Sequence, residues 1–198
     1  MKKDKSNGGF TLIELLVVLS IIGVLAAIIM ASLNTARANS RDMVRKQELV
    51  QLRNALEVYR TTHNSYPSTG GVWYASIPGG ETASNPVLSD NGGDWIPGLV
   101  QSKAIAKLPQ DPIGGISTIP DCAVDGWHKT FLYQSNGTDY KIVSHCAPEG
   151  TWTTKDQFYD PAPRAYWAWM ITSNPAKQPG NNGTDCNPQF DVNYPACW

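Results

Sequence analysis

FTLIELLVVLSIIGVLAAIIM, residues 10–30, holds a single charged side chain, Glu14, in 21 positions. At 1.5 Å of rise per residue, a helix of that length spans about 30 Å, the thickness of a bilayer's hydrocarbon core. A helix on a soluble surface keeps one polar face; this run is apolar all round and reads as a membrane helix. An ordinary secretory signal has an apolar region of only about 7–15 residues, followed by a small-residue cleavage site. Ala36-Arg37-Ala38 has the outline of such a site, but the run before it is too long and an arginine sits inside it.

The helical pattern continues past Met30 with a different polarity. Leu49, Leu52, Leu56 and Tyr59 recur at spacings of three, four and three, which places them on one face. Arg41, Arg45, Glu48, Arg53 and Glu57 are interspersed, and neither Gly nor Pro occurs between Gly23 and Pro67. The helix is predicted to end within 61–65, ahead of Tyr66-Pro67, because the residue before a proline disfavours helical geometry. From Phe10 to Thr62 that is 53 residues, about 80 Å if unbroken.

Beyond His63 the composition changes, and all seven Trp and all four Cys lie there. Ser68–Gly98, rich in Gly, Ser, Asn and Pro, reads as a long loop region, and Leu99–Leu108 as a short helix. Thr130-Phe131-Leu132-Tyr133 and Tyr140-Lys141-Ile142-Val143 flank Ser135-Asn136-Gly137-Thr138. Asn-Gly between apolar segments predicts a hairpin with a type I′ turn, since both residues tolerate positive φ. Ala165–Ile171 is predicted to be a further strand, and Pro175–Trp198 a loop.

Cys122, Cys146, Cys186 and Cys197 show no C-x-x-C spacing, which argues against a zinc or redox centre. In an exported domain they read as two disulfides. Three connectivities are possible; Cys122–Cys146 with Cys186–Cys197 closes the shorter loops and is favoured. The net charge of −1 hides an asymmetry: Lys2, Lys3 and Lys5 precede Phe10 against one Asp4, leaving 13 bases and 16 acids in the rest. A mildly acidic remainder is not the basic footprint of a nucleic-acid binder.

Other chemistry is sparse. Asp90-Asn91-Gly92-Gly93-Asp94 offers oxygen donors, with Asp90 and Asp94 as a weak calcium candidate, but lacks the later glutamate of a complete loop. No cofactor is otherwise expected. His63, His128 and His145 have no metal spacing, and no phosphate loop or elbow-like serine occurs, so no catalytic residue is assigned and an enzyme is not expected. The tryptophans are expected mainly in a loop-rich core, a stacking surface for sugars being the other reading. Asn136-Gly137-Thr138 and Asn182-Gly183-Thr184 match a three-residue glycosylation pattern that is common by chance.

Gly8-Gly9-Phe10-Thr11-Leu12-Ile13-Glu14-Leu15-Leu16 resembles the prepilin signature of the type IV pilin and type II secretion pseudopilin superfamily. Ala36–Arg41, Leu52–Tyr59 and the Tyr66-Pro67 exit resemble that family's helix, and Leu108-Pro109-Gln110-Asp111-Pro112 the middle of major pseudopilins. The resemblance implies an α+β fold, with a long N-terminal helix on a small antiparallel sheet and a disulfide-bounded C-terminal loop. It divides the chain into a leader (1–9), a membrane or filament-core helix (10–30), its amphipathic continuation (31–62) and a β-rich head (63–198). A prepilin peptidase would cut between Gly9 and Phe10, and the new amine of Phe10 would be N-methylated. Calcium at the acidic loop is what likeness to major pseudopilins would allow.

By the same likeness the chain is a filament subunit that self-assembles from the inner membrane, served by an assembly platform and an ATPase motor, with its head outside the cytoplasm. The type IV pilus is the first reading, a secretion pseudopilus the second, and a membrane-anchored binding module the third. The Cys186–Cys197 pair looks like the terminal loop of pilins; the sequence after Asp111-Pro112, with its Cys122 insertion, departs from pseudopilins. Glu14 is the assembly residue, since a salt bridge to a neighbour's Phe10 amine neutralises both charges in an apolar core; snorkelling to the membrane edge is the alternative. Arg37, Arg41, Arg45 and Lys46 follow the span, so flanking charge alone does not fix orientation. Two readings stay open for these bases: pairing with acids of neighbouring subunits, or a solvated face.

Overall fold

The computed structural model describes residues 10–77, 94–119, 122, 128–150, 156–158 and 168–174. The Asp90 candidate, Gly9, the Cys186–Cys197 pair, residues 165–167 of the predicted last strand and the 175–198 loop lie outside these. Helix α1 runs Leu12–His63. Asn64 stops it in the left-handed region at φ 56°, its amide donating to the Arg60 carbonyl at 2.8 Å, a common way for asparagine to close a helix. The chain divides into two compact units, 1–38 and 39–198.

In the first unit the apolar side chains lie in the open: Leu12, Leu16, Leu19, Leu25, Ile28 and Met30 are all exposed. This is the stretch of α1 apolar enough to cross a membrane. In water such a surface would be strongly unfavourable, at roughly 25 cal/mol for each Å².

In the second unit the described residues form a four-stranded antiparallel sheet in the order β1 (Tyr74–Ala75), β2 (Thr130–Ser135), β3 (Tyr140–His145), β4 (Ala168–Thr172). Thr130 pairs with His145 and Ser135 with Tyr140; Lys141 pairs with Thr172 and His145 with Ala168. Side chains alternate between the two faces, as strand geometry requires. Phe131, Tyr133, Tyr140, Ile142, Trp169 and Ile171 share one core with Leu49, Leu52, Ala55 and Leu56 of α1, so the predicted leucine face is the one that is buried. Leu132, Val143, Ala168 and Met170 pack with Ala75 on the opposite face.

Four local expectations need correction. Ser135 pairs with Tyr140, so the hairpin is closed by four residues rather than two, and of the Asn-Gly pair only Gly137 has positive φ, at 90°. The Asn136 Oδ1 is the reason: it accepts the amides of Thr138 (2.9 Å) and Asp139 (2.8 Å), a side-chain turn that competes with the tighter one. Leu99–Leu108 is a succession of turns, because Gly98 and Lys103 take left-handed φ values of 75° and 62° that interrupt helical geometry. The last strand, described from Ala168, runs one residue past its predicted end, to Thr172. The Ser68–Gly98 loop region contains β1, and Trp95 and Ile96 at its far end are core residues.

Candidate functional site

Glu14 stands in the first turn of α1, where an acid complements the helix's positive end. Its Oε2 accepts both the Thr11 amide (2.8 Å) and the Thr11 hydroxyl (2.7 Å), while the Thr11 Oγ1 accepts the Glu14 amide at 3.3 Å. This is a reciprocal capping box, satisfying two amides that the helix itself leaves without partners. The sequence reading assigned Glu14 for its charge and missed Thr11. The signal was present, since a threonine three residues before a glutamate at the head of an apolar run is a helix-start pattern. Phe10 is 88 % exposed beside it. In the single chain the carboxylate is thus occupied locally, with its acceptor capacity only partly used.

A second polar constellation joins the later half of α1 to the sheet loops. Arg45 is fully buried; its Nε and Nη2 donate to the two oxygens of Asp111 at 2.7 and 3.0 Å, a bidentate pairing. Its Nη1 lies 2.9 Å from an Asp42 oxygen and 2.7 Å from Glu149 Oε1. The Arg41 Nε donates to both oxygens of Glu149 at 3.1 Å. Asp42 in turn accepts the amides of Glu149 and Gly150, at 3.2 and 2.7 Å. Lys46 pairs with Asp156 and lies 4.6 Å from the centre of the Trp169 ring. Arg41, Arg45 and Lys46 are therefore neither a solvated face nor left for neighbouring subunits: each is paired inside the chain. Sequence reading missed Asp42 and Glu149 as partners: Asp42 stands three residues before Arg45 on α1, a spacing the sequence does show, whereas Glu149 lies on a distant loop and carries no local pattern.

Burial raises the Asp111 and Glu149 carboxyls, but hydrogen bonds from Arg45 to Asp111 and from Arg41 and Arg45 to Glu149 outweigh it and hold both below the ordinary carboxylate range. Glu48 behaves oppositely. Its Oε2 is buried without a hydrogen-bond partner, and burial, helped by the nearby Asp111 charge, pushes it up to about 7 despite Arg45. Between pH 4.5 and 7 the unfolded chain ionises this group and the folded chain does not, so stability falls as pH rises through that window. Asp111 and Glu149 act below it, where acid protonates them and stability falls as pH drops. Glu48→Gln is expected to stabilise the head at pH 8 by roughly 1–2 kcal/mol after allowance for solvent screening, with the gain vanishing below pH 4.5. Thermal unfolding followed by tryptophan fluorescence across pH checks it; a gain that does not change with pH would contradict the assignment.

Gly150 approaches α1 so closely that a Cβ there would run into the Asn39 side chain and meet an Asp42 oxygen at 3.1 Å. Gly150→Ala should lower head stability by about 1–3 kcal/mol, measured by chemical denaturation, because the loop must withdraw from the carboxylate it feeds.

Cys122 and Cys146 are joined by a disulfide with Cα atoms 6.1 Å apart. Of the calcium candidate, Asp94 Oδ2 accepts the Gly98 amide and the Gln101 side chain, both at 3.1 Å, so that oxygen closes the following turn. Among the described residues no group of three or more His, Cys, Asp or Glu could hold a metal ion. Of the histidines, His63 stacks on Tyr59 at 3.9 Å and His145 is buried beside Cys146. The two sites that stand out are thus a capped acid at the head of an apolar rod and an ion cluster that fastens a sheet to a helix.

Comparison with known proteins agrees with that geometry. A family model described as the prokaryotic N-terminal methylation motif matches residues 4–30. The chain is similar to the type II secretion system core protein G of Aeromonas hydrophila, 32% identical over 57% of this chain and 71% of that protein. The proteins of the same name from Escherichia coli K12 (32%, covering 58% and 72%) and Vibrio cholerae (38%, covering 58% and 70%) are similar too. No solved structure matches. A methylation-motif helix, a pilin-like α+β head and this degree of identity show that the chain belongs to the type II secretion system core protein G family of pseudopilins.

Proposed function

We propose that this pilin-like structural subunit is cut between Gly9 and Phe10, methylated on Phe10 and polymerised through α1 into the filament of a type II secretion system. Residues 1–9 are then the leader, 10–30 the membrane span that becomes filament core, 31–62 its continuation and 63–198 the head. The observation that carries this reading is the open, apolar first half of α1 with one acid in its first turn. A span placed in lipid needs no such acid, whereas a subunit leaving lipid with a new terminal amine does. Glu14 then neutralises the Phe10 amine of the next subunit and sets the axial register.

A second feature supports helix-to-helix packing. Ser40, Met43, Val44, Gln47, Gln51, Asn54 and Val58 recur at helical spacing as an uncharged stripe along the exposed side of α1, with exposed Arg53 and Glu57 beside it. The solvent face of an ordinary surface helix is charged; an uncharged one suits close contact with neighbours. The role is structural rather than catalytic. Subunits wait in the inner membrane with the head outside the cytoplasm, and a membrane assembly platform with an ATPase motor extracts them.

The relatives account for 57–58% of this chain, so a longer surface fibre of the type IV pilus class is the second reading, and fibre length separates the two. Mass spectrometry of the native N-terminus is expected to find methyl-Phe10; an intact Met1 in assembled fibres would sink the proposal. Gly9→Lys should leave the precursor uncut and confined to the membrane fraction.

A further inference from the structure

Strand β3 ends at His145, and the next residue leaves the sheet in an unusual way. Cys146 has φ 52°, a left-handed conformation that a side chain with a Cβ adopts only at an energetic disadvantage. Two things hold it there. Its sulfur is bonded to Cys122, 24 residues earlier, with both cysteines fully buried, and its carbonyl accepts the Ser117 hydroxyl at 2.9 Å.

From that fixed point the chain needs only Ala147 and Pro148 to reach α1. There Glu149 and Gly150 give their amides to Asp42, and the Glu149 carboxylate meets Arg41 and Arg45. Arg45 has no solvent exposure, so its charge depends on acids brought to it. Asp111 sits on the segment before the Cys122 insertion and Glu149 on the segment after Cys146. The covalent bond therefore sets the direction in which one of the two long-range counter-ions of a buried guanidinium is delivered.

We propose that the Cys122–Cys146 bond is an oxidation-dependent clasp that seats Glu149 on Arg45 and so closes the sheet loop onto the helix. In the dithiol chain Cys146 relaxes out of the left-handed region, the four residues after it lose their heading, and Glu149 leaves Arg45 held by Asp111 and Asp42 alone. Closure is a thiol–disulfide exchange with a protein disulfide as oxidant. One cysteine thiolate attacks a sulfur of that disulfide, and the other displaces the mixed intermediate. Two electrons pass to the oxidant, which leaves as a dithiol carrying both protons. Thiols persist in the cytoplasm and disulfides form outside it, so the head would close only after export. That last link rests on the proposed topology; the clasp itself does not.

Hydrogen exchange read by mass spectrometry on the full chain in detergent micelles tests it, comparing the oxidised protein with Cys122→Ser/Cys146→Ser. Exchange at the Glu149 and Gly150 amides is expected to rise by about tenfold or more, while amides of residues 131–134 and 141–144 keep their protection. Should the serine pair not fold, Cys122→Ala/Cys146→Ala or stepwise reduction of the native chain gives the same comparison. Unchanged protection at 149–150, or equal loss across sheet and loop, overturns the clasp. Glu149→Gln in the oxidised chain should loosen the same two amides with the disulfide intact; no effect there also overturns it. If the clasp holds but the reduced chain assembles at the normal rate, the link to export fails and the clasp stands.

Discussion

Glu14→Ala is expected to leave a chain that is cleaved, inserted and folded but yields essentially no fibre. In the proposed packing each subunit carries its Phe10 amine into an apolar core, and removing one partner of a buried pair costs about 3–5 kcal/mol because the remaining charge is stranded. At 1.4 kcal/mol per factor of ten, that is a loss of roughly 10² to 4 × 10³ in each subunit addition. The capping box complicates the reading of this variant, since alanine also removes the acceptor for the Thr11 amide and hydroxyl. Glu14→Gln separates the two roles: a glutamine retains a capping oxygen and loses the charge. If charge neutralisation drives growth, the glutamine chain fails nearly as badly as the alanine chain. Fibre recovered by shearing, set against total and processed subunit, measures both. Normal fibre from Glu14→Gln would reduce Glu14 to a helix cap and end the pairing proposal.

The largest effect on stability is expected from Arg45→Ala. It strands Asp111, with side-chain exposure of 1%, and removes partners from Asp42 and Glu149, so the head should lose about 3–5 kcal/mol. Arg41→Ala is the control. Its side chain is 30% exposed and shares Glu149 with Arg45, so its removal should cost no more than about 1 kcal/mol. Denaturant unfolding of the two variants side by side decides the matter, and equal midpoints would contradict the buried cluster. Because the acids left behind by Arg45→Ala are protonated at low pH, the deficit should narrow as pH falls from 7 to 4.

The long helix was legible because two signals bear on it locally: an unbroken apolar run, then leucines at 49, 52 and 56 returning to one face. The β2–β3 hairpin was legible as well, since Phe131–Tyr133 and Tyr140–Val143 are good strand formers on either side of a turn. Its closing turn was not, because Asn136 puts its side chain to use on the backbone, which residue type alone does not disclose. The misread helix after Gly98 has a similar cause: Lys103 takes a left-handed φ that composition does not forecast. Arg45 was hardest to read. An arginine within a polar helix reads as solvated, and apart from Asp42, three residues before it, the acids paired with it are 66 residues away at Asp111 and further still at Glu149. Thr11 differs from these, because its partner is three residues away and the pattern lay open in the sequence. Read for its charge alone, Glu14 does not disclose its place in a helix start.

The unsheltered leucines and isoleucines at the head of α1 also bear on how a fibre trades material with its surroundings. In the proposed fibre a detached monomer has no tolerable aqueous existence, so lengthening and shortening both have to occur at the end rooted in lipid. A severed fragment should then persist without shedding protein into the medium, and dilution, which dissolves many reversible polymers, should leave it intact.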